Sequence, residues 1–184
     1  CYVCPYAYRA TEWLNRLQEK DKGIKVNYKA VVLEQANFAS MRGENWKAWE
    51  DKSMASRDIP PLEASKCPAL QGEDQFAKYH MALHRAKHRD GKDITNQLVL
   101  RDVAIESDLD LQRWEEDMKN GAGVPFIAQD HEEAESEYGV FGVPTLLFES
   151  GNHAFVKLKE GAWEDQDDEG LRDAIRAASI DRPY

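Results

Sequence analysis

The feature that most limits the fold is a long segment, residues 65–138, whose apolar side chains recur at helical spacing. Strand patterns occur only on either side of it. Residues 24–32 alternate apolar and polar side chains, and two apolar runs, 144–148 and 154–158, flank a Ser-Gly-Asn turn that is typical of a hairpin. A strand, a block of helices and a hairpin together predict an α/β protein whose central sheet carries a helical insertion.

Helices are also predicted near both ends of the chain. Residues 5–20 have a helical apolar face, and Pro5 suits the first helical position because its missing N–H costs nothing there. Residues 168–179 show a similar pattern. Inside the helical block, helix ends are predicted at three glycines: Gly91, Gly121 and Gly139.

Other helix boundaries rest on weaker signals. The Ile59-Pro60-Pro61 stretch indicates a break, and Cys67, which precedes Pro68, is expected at a helix start. The candidate capping residues for the middle helices are Asp93 or Thr95, and then Asp108.

Composition argues against two classes of partner. The net charge is -10, which disfavours nucleic acid because phosphate binding needs clustered lysine and arginine. No apolar run has the length that spans a membrane.

Three cysteines in 184 residues are too few for a disulfide framework, which favours a reducing, cytoplasmic compartment.

Cys4 is the candidate nucleophile. It directly precedes Pro5, at the predicted start of the first helix. A helix N-terminus offers unpaired N–H donors and the positive end of the helix dipole, and both favour a thiolate over a thiol. Because thiolates attack disulfides and electrophiles, this position predicts a reactive cysteine rather than one that only packs.

Three features together resemble the DsbA family of thioredoxin-fold oxidoreductases: Cys4-Pro5-Tyr6-Ala7 at a helix start, the helical insertion, and Gly-Val-Phe-Gly-Val-Pro-Thr at residues 139–145 before a hairpin. Among its branches, the chain looks most similar to the DsbA-like oxidoreductases near 2-hydroxychromene-2-carboxylate isomerase and kappa-class glutathione transferase.

The resemblance implies a thioredoxin fold with an inserted all-helical domain. The thioredoxin-like domain would comprise residues 1–62 and 123–184, and the helical insertion residues 63–122. The family also has an opening strand before the position of Cys1, and this first strand is missing from the sequence. We therefore expect a shortened chain, so a periplasmic or secreted location stays open beside the cytoplasmic one.

The resemblance also implies the residues of the site. In the family, the proline that matches Pro144 is cis and faces the active-site sulfur, so the segment around it is expected to bind substrate beside Cys4. Backbone groups of Val143 would then pair with an extended peptide or a glutathione-like thiol, and Tyr6 would form part of a groove wall. The predicted substrate-binding residues are Pro5, Tyr6, Val143, Pro144 and Thr145.

The cysteine pattern departs from that of the family. Redox-active members carry a second cysteine three residues after the one that matches Cys4, and here Ala7 stands in its place. Cys1 lies three residues before Cys4, where many relatives carry an acidic residue. Three extended residue steps span about 10 Å, which is too far for a disulfide. Cys1 is therefore a candidate resolving thiol only if a turn brings it closer to Cys4.

The sequence thus predicts a thiol-dependent oxidoreductase that acts through a single nucleophilic cysteine, with an external thiol that completes the exchange. No metal and no tightly bound cofactor are expected, and the co-substrate would be glutathione or a similar low-molecular-weight thiol. The partner would be a small thiol or disulfide, or a protein disulfide. Two alternatives stay open: a glutathione-type thiol-dependent isomerase or transferase, and a non-catalytic thioredoxin-fold module that binds peptides.

Three histidines recur every four residues, at His80, His84 and His88, so they lie along one face of a predicted helix. The first and the last are about 12 Å apart along the helix axis, which is too far for both to bind one zinc ion. Packing is the favoured interpretation, and a role in lining a groove opposite Cys4 is the alternative.

Overall fold

A computed structural model describes residues 1–43, 45–160 and 168–179 of the chain. Most of these residues are helical. A short hairpin comes between the last two helices in the chain. In chain order the elements are α1 (Pro5–Lys20), α2 (Leu33–Arg42), α3 (Ile59–Ala69), α4 (Glu73–His88), α5 (Gln97–Glu106), α6 (Leu111–Asn120), α7 (Val124–Tyr138), β1 (Thr145–Leu147), β2 (His153–Phe155) and α8 (Asp168–Ala178). Within the described residues, no helix has both the length and the apolar character needed to cross a membrane.

The predicted hairpin is confirmed. Its two strands are antiparallel, with Thr145 opposite Phe155. Gly151 in the turn has a φ of 88°, a conformation that glycine adopts without steric cost. The backbone N–H of Val156 donates to the carbonyl of Pro144 at 2.9 Å, which extends the pairing by one step. The hairpin therefore fixes the position of the proline that precedes it.

The strand predicted at residues 24–32 is wrong. The segment does alternate in burial as the pattern indicates, because its apolar positions from Ile24 to Tyr28 are half-buried and the residues between them are exposed. However, among the described residues no strand lies beside it to complete a ladder. Side chains of α7 accept its backbone N–H groups instead: the carboxylate of Asp130 accepts from Ala30 at 2.8 Å, and Nδ1 of His131 from Val32 at 3.2 Å.

Helix α3 begins where the sequence indicated a break. Pro60 and Pro61 occupy its first turn, where a missing N–H removes no helical hydrogen bond. Cys67, which was expected at a helix start, lies near the end of α3, and Pro68 is inside the same helix. The helix thus starts at the predicted break, because prolines fit its first turn. The expectation for Cys67 is wrong because Pro68, which was taken to mark a helix start, lies inside the helix.

A tertiary contact explains why Pro68 is tolerated. A proline inside a helix leaves the carbonyl four residues before it without a donor, and here that residue is Ala64. The indole Nε1 of Trp114, on α6, donates to this carbonyl at 3.0 Å. Because Trp114 is almost fully buried, this hydrogen bond is shielded from water and takes the place of the missing helical one.

Helices α3 to α7 pack around one core, as expected for the helical block. Six apolar members that are almost fully buried are Leu62, Tyr79, Leu83, Leu100, Val103 and Ile127. The capping residues differ from those predicted, since Asn96 caps α5 and Asp110 caps α6. Each of these side chains accepts a backbone N–H two or three residues later, whereas the predicted Asp93 accepts the N–H and the hydroxyl of Thr95.

The domain boundaries themselves stay a prediction. The proposed boundary between residues 62 and 63 falls inside α3, which runs without interruption from Ile59 to Ala69. Residues 161–167 and 180–184, which belong to the second predicted part of the thioredoxin-like domain, lie outside the described residues.

A second, smaller core holds α1 against the hairpin and α8. Trp13 and Leu17 of α1 are 1 % exposed and pack against Val156 and Leu158. Nε1 of Trp13 also donates to the carbonyl of Asp168 at the start of α8, at 3.3 Å. Since α1 also packs against α4, the first helix lies between the helical block and the hairpin, and its N-terminus is fixed from both sides.

Candidate active site

Cys4 is the N-cap residue of α1. Its backbone is extended, with φ -85° and ψ 119°, and Pro5 occupies the first helical position as predicted. The first helical hydrogen bond runs from the N–H of Tyr8 to the carbonyl of Cys4 at 3.2 Å. The Cys4 side chain forms no capping hydrogen bond, so its sulfur remains available to a partner outside the helix.

That partner is the segment that leads into the hairpin. Sγ of Cys4 lies 3.5 Å from the carbonyl oxygen of Val143, 139 positions later in the chain. The Val143–Pro144 peptide bond is cis, as the resemblance implies. The fold therefore brings the candidate nucleophile into contact with the residue before the proline that sequence reasoning selected.

The other predicted binding residues adjoin this contact. Pro5 is exposed and Tyr6 is half-buried in the first turn of α1. Thr145 is half-buried, and its hydroxyl donates to the carbonyl of Gly142 at 2.8 Å, so the hydroxyl proton is used within the turn. The Thr145 hydroxyl oxygen can still accept a hydrogen bond from a ligand. The substrate-binding role of Pro5, Tyr6 and Thr145 stays a prediction.

Cys1 has a different neighbour from Cys4, and no disulfide joins the two. Sγ of Cys1 lies 3.5 Å from Oδ1 of Asp58, a residue that is 2 % exposed. The other oxygen of this carboxyl accepts the backbone N–H of Glu34 at 2.9 Å, while burial raises the pKa of Asp58 above its ordinary value. Sequence reasoning missed Asp58, and the role of Cys1 as a resolving thiol stays a prediction.

The third cysteine has the properties of a structural residue. Cys67 is fully buried, whereas Cys4 retains 9 % of its accessible surface. Burial raises the pKa of the Cys67 thiol to about 12, and the nearby carboxylates of Asp117 and Glu63 add to the increase. A thiol with this pKa carries almost no thiolate at neutral pH and is a poor nucleophile.

The three histidines of α4 support the segment that leads to Cys4. Nδ1 of His80 lies 2.7 Å from the hydroxyl of Tyr2, and Nε2 of His88 donates to the Tyr2 carbonyl at 2.8 Å. The ring of His84 lies 4.6 Å from the Tyr2 ring, centre to centre. Because His80 and His84 are both buried, the packing interpretation is the one that the structure supports.

Burial keeps two of these histidines neutral. It lowers the pKa of His80 to about 3 and the pKa of His84 well below its ordinary value. Within the described structure, Nε2 of His80 and Nδ1 of His84 have no hydrogen-bond partner, and protonation would bury a charge there as well. The ring of His88 is stacked on that of Tyr8, one turn after Cys4, at 5.0 Å between centres.

The hairpin side of Cys4 is more exposed. Phe141 is 75 % exposed and its ring lies 5.1 Å from that of Phe155, which is 36 % exposed. Nζ of Lys157 lies 5.2 Å from the centre of the Phe155 ring and 5.5 Å from that of Tyr6. Sequence reasoning missed these residues apart from Tyr6. The available signal was alternation in the run 154–158, where residues 155 and 157 are exposed and 156 and 158 are buried.

Comparison with known proteins gives two matches. The family profile of the DSBA-like thioredoxin domain matches residues 67–176, more than half of the chain, a range that includes Val143 and Pro144 and begins after Cys4. Among solved structures, the chain is similar to a crystal structure from Nitrosomonas europaea that is provisionally described as a protein disulfide isomerase. No curated protein matches the chain.

The structural likeness extends over nearly the whole of both chains. It covers 96 % of this chain and 92 % of the Nitrosomonas europaea chain, with a TM-score of 0.63 and 12 % sequence identity. At this identity the likeness shows the fold alone, and the family follows from the profile match. The chain therefore belongs to the DSBA-like thioredoxin domain family, and its fold is a thioredoxin fold that carries a helical insertion.

Proposed function

We propose that this protein is a thiol-disulfide oxidoreductase in which Cys4 is the only nucleophile. The observation that carries the proposal is the 3.5 Å contact between Sγ of Cys4 and the carbonyl of Val143. It combines a cysteine at a helix N-terminus with an irregular backbone segment that can pair with a bound chain or thiol. Membership of the DSBA-like family supports the same class of reaction.

The reaction proceeds by two exchanges. The thiolate of Cys4 attacks one sulfur of a substrate disulfide, R–S–S–R′; a Cys4–S–S–R bond forms, the substrate S–S bond breaks, and R′–S⁻ leaves with the electron pair. A second thiolate then attacks the sulfur of R in this mixed disulfide. Cys4 leaves as the thiolate, ready for another cycle. R′ has been released as a thiolate and R is joined to the incoming thiol in a new disulfide, so the net reaction is a thiol-disulfide exchange.

The second thiol is external in this proposal. Position 7, where a resolving cysteine would follow Cys4 in the first turn of α1, is the buried Ala7. Cys1, the remaining candidate, is directed at the carboxyl of Asp58 rather than at Cys4. Glutathione or a similar low-molecular-weight thiol would complete the exchange, with the backbone of Val143 available to bind it.

The test compares three single substitutions: Cys4→Ser, Cys1→Ser and Cys67→Ser. Each folded variant is mixed with a neutral aromatic disulfide, 2,2′-dithiodipyridine, and the release of thiopyridone is followed at neutral pH. Glutathione is then added, and its attack on the mixed disulfide is followed by mass spectrometry of the protein.

We expect Cys4→Ser to abolish the fast release of thiopyridone, and Cys67→Ser to retain it, because Cys67 is buried with a raised pKa. Cys1→Ser should retain both the fast release of thiopyridone and the regeneration of the free Cys4 thiol by glutathione. If Cys4→Ser reacts as fast as the unsubstituted chain, the proposal is wrong. If only Cys1→Ser accumulates the mixed disulfide, the single-thiol route is wrong and Cys1 is the resolving thiol. If Cys4 in the native chain reacts no faster than free cysteine, the peptide-binding alternative is favoured.

A further inference from the structure

A series of contacts and chain neighbours links the sulfur of Cys4 to a lysine on the hairpin side. Sγ of Cys4 contacts the carbonyl that precedes Pro144 at 3.5 Å. The carbonyl of Pro144 accepts the N–H of Val156 at 2.9 Å, and Lys157 follows directly. Nζ of Lys157 lies 5.5 Å from the ring centre of Tyr6, which is two residues after Cys4. The ammonium group of Lys157 therefore lies beside the first turn of α1, the helix that begins directly after Cys4.

Two cations lie near the Tyr6 ring, and they differ in their other hydrogen bonds and ion pairs. The guanidinium of Arg9 lies 5.5 Å from the Tyr6 ring, donates to the carbonyl of Leu158 at 3.0 Å and pairs with Glu160 at 3.6 Å. Lys157 is exposed and makes no ion pair with any residue of the described part of the chain. In a chain whose net charge is -10, an exposed cation near the first turn of α1 can attract an anion.

Aromatic rings border this cation. Lys157 lies over the ring of Phe155, which contacts the exposed ring of Phe141. Gly142, next to Phe141 in the chain, keeps the rings close to the proline segment: a Cβ at this position would lie 3.0 Å from the Phe155 ring. The surface beside Cys4 thus offers an apolar face for the body of a ligand and a positive charge for one of its ends.

We propose that Lys157 is a specificity residue that selects, as substrates of Cys4, low-molecular-weight disulfides carrying a carboxylate attached to an apolar or aromatic body. This inference rests on the proposed function, because it requires Cys4 to be the attacking thiol. Lys157 pairs with the carboxylate as the disulfide approaches, and the apolar body lies against Phe141 and Phe155. The bonds that form and break are those of the first exchange, in which the leaving thiolate carries away the electron pair, and Lys157 takes no electrons or protons.

The experiment compares two aromatic disulfides that differ in charge. 5,5′-Dithiobis(2-nitrobenzoate) carries two carboxylates and 2,2′-dithiodipyridine carries none. The second-order rate constant of each is measured at low ionic strength for the unsubstituted chain, Lys157→Gln and Lys157→Glu, after subtraction of the rate for Cys4→Ser. The matched control is Lys159→Gln, which removes the same charge from an exposed position on the same stretch.

The readout is the ratio of the anionic to the neutral rate constant, which cancels any general change in the reactivity of Cys4. We expect Lys157→Gln to lower this ratio about fivefold, Lys157→Glu to lower it further, and Lys159→Gln to change it less than about twofold. Added salt should reduce the ratio for the unsubstituted chain towards that of Lys157→Gln, because salt screens exposed charges.

Two results would overturn the inference. If Lys157→Gln and Lys159→Gln lower the ratio equally, only the overall charge of the chain acts on the substrate. If neither changes it while both probes still react at Cys4, Lys157 does not select the substrate. A failure of the proposed function looks different, because in that case the rates for the unsubstituted chain and for Cys4→Ser are the same with both probes.

Discussion

The two sides of the chain around Cys4 differ sharply in burial. On the side of α4, Tyr2 is 3 % exposed and is held through its hydroxyl and its carbonyl by His80 and His88. On the side of the hairpin, Phe141 is 75 % exposed, although it too is an aromatic residue within a few positions of the candidate site. The first side is packed like a protein core, and the second exposes aromatic side chains to solvent.

This difference separates the residues that position Cys4 from those that we propose to bind the substrate. The buried contacts of Tyr2 fix the backbone that leads into Cys4, so the sulfur is located before any ligand arrives. The exposed rings of Phe141 and Phe155 and the side chain of Lys157 are open to solvent, and in our proposal they meet the substrate. Substitutions on the two sides should therefore affect different quantities, namely stability on the α4 side and substrate preference on the hairpin side.

The largest effect is expected for Tyr2→Ala. This change removes a buried ring and leaves Nδ1 of His80 without its partner, so we expect the free energy of unfolding to fall by about 3–5 kcal/mol. Urea denaturation measures it. Phe141→Ala is the matched control and should change the free energy of unfolding by less than about 0.5 kcal/mol. Equal losses for the two variants would contradict the distinction between the sides.

The second effect is a loss of stability in mild acid. The pKa of His80 is about 3 in the folded chain, against an ordinary value of 6.5, and that of His84 is also lowered. Below pH 6.5, His80 and His84 therefore become protonated in the unfolded chain while they stay neutral in the folded chain. The free energy of unfolding falls as pH decreases, by up to about 1.4 kcal/mol per pH unit for each histidine.

The measurement is urea denaturation between pH 6.5 and 4.5, above the range where most carboxylates titrate. The titratable groups that face His84 are Tyr2, Tyr8, His80 and His88. His84→Leu removes one buried histidine and its unpartnered nitrogen, so the slope of stability against pH should become shallower. An unchanged slope in this variant would show that the acid sensitivity arises elsewhere.

The smallest effect concerns the hairpin side alone. Phe141→Ala should slow the reaction of Cys4 with 2,2′-dithiodipyridine about two- to tenfold relative to hydroxyethyl disulfide, which has no aromatic ring to lie against Phe141. Leu98→Ala, at an exposed apolar position on α5, is the control and should leave this preference unchanged. A loss of preference in both variants would indicate a general effect of surface substitution.

Local sequence signals predicted the helices with clear ends. Helix α1 covers Pro5–Lys20 as predicted, and α7 (Val124–Tyr138) ends at Gly139 as predicted. Their boundaries are set by a first-turn proline and by a glycine that ends the helix, at Pro5 and Gly139, and these are properties of single residues. The candidate nucleophile was found in the same way, because a cysteine before such a proline has a defined position relative to the helix N-terminus.

Signals that depend on distant partners failed. The alternation at residues 24–32 predicted the half-buried positions correctly, but the backbone N–H groups of Ala30 and Val32 are taken by α7 side chains rather than by a strand. Pro68 is tolerated inside α3 because Trp114, 50 positions after Ala64, donates to the Ala64 carbonyl that the proline leaves without a helical donor. No window of local sequence contains either partner.

The sequence by itself determined where α1 begins, that Cys4 directly precedes it, and that a proline precedes the hairpin, because each of these follows from the covalent geometry of a few adjacent residues. Only the tertiary structure decided that the sulfur of Cys4 meets the carbonyl of Val143, that His80 and His88 hold Tyr2, and that Lys157 lies beside Tyr6. These contacts join residues dozens of positions apart, and their existence depends on how the helices and the hairpin pack together.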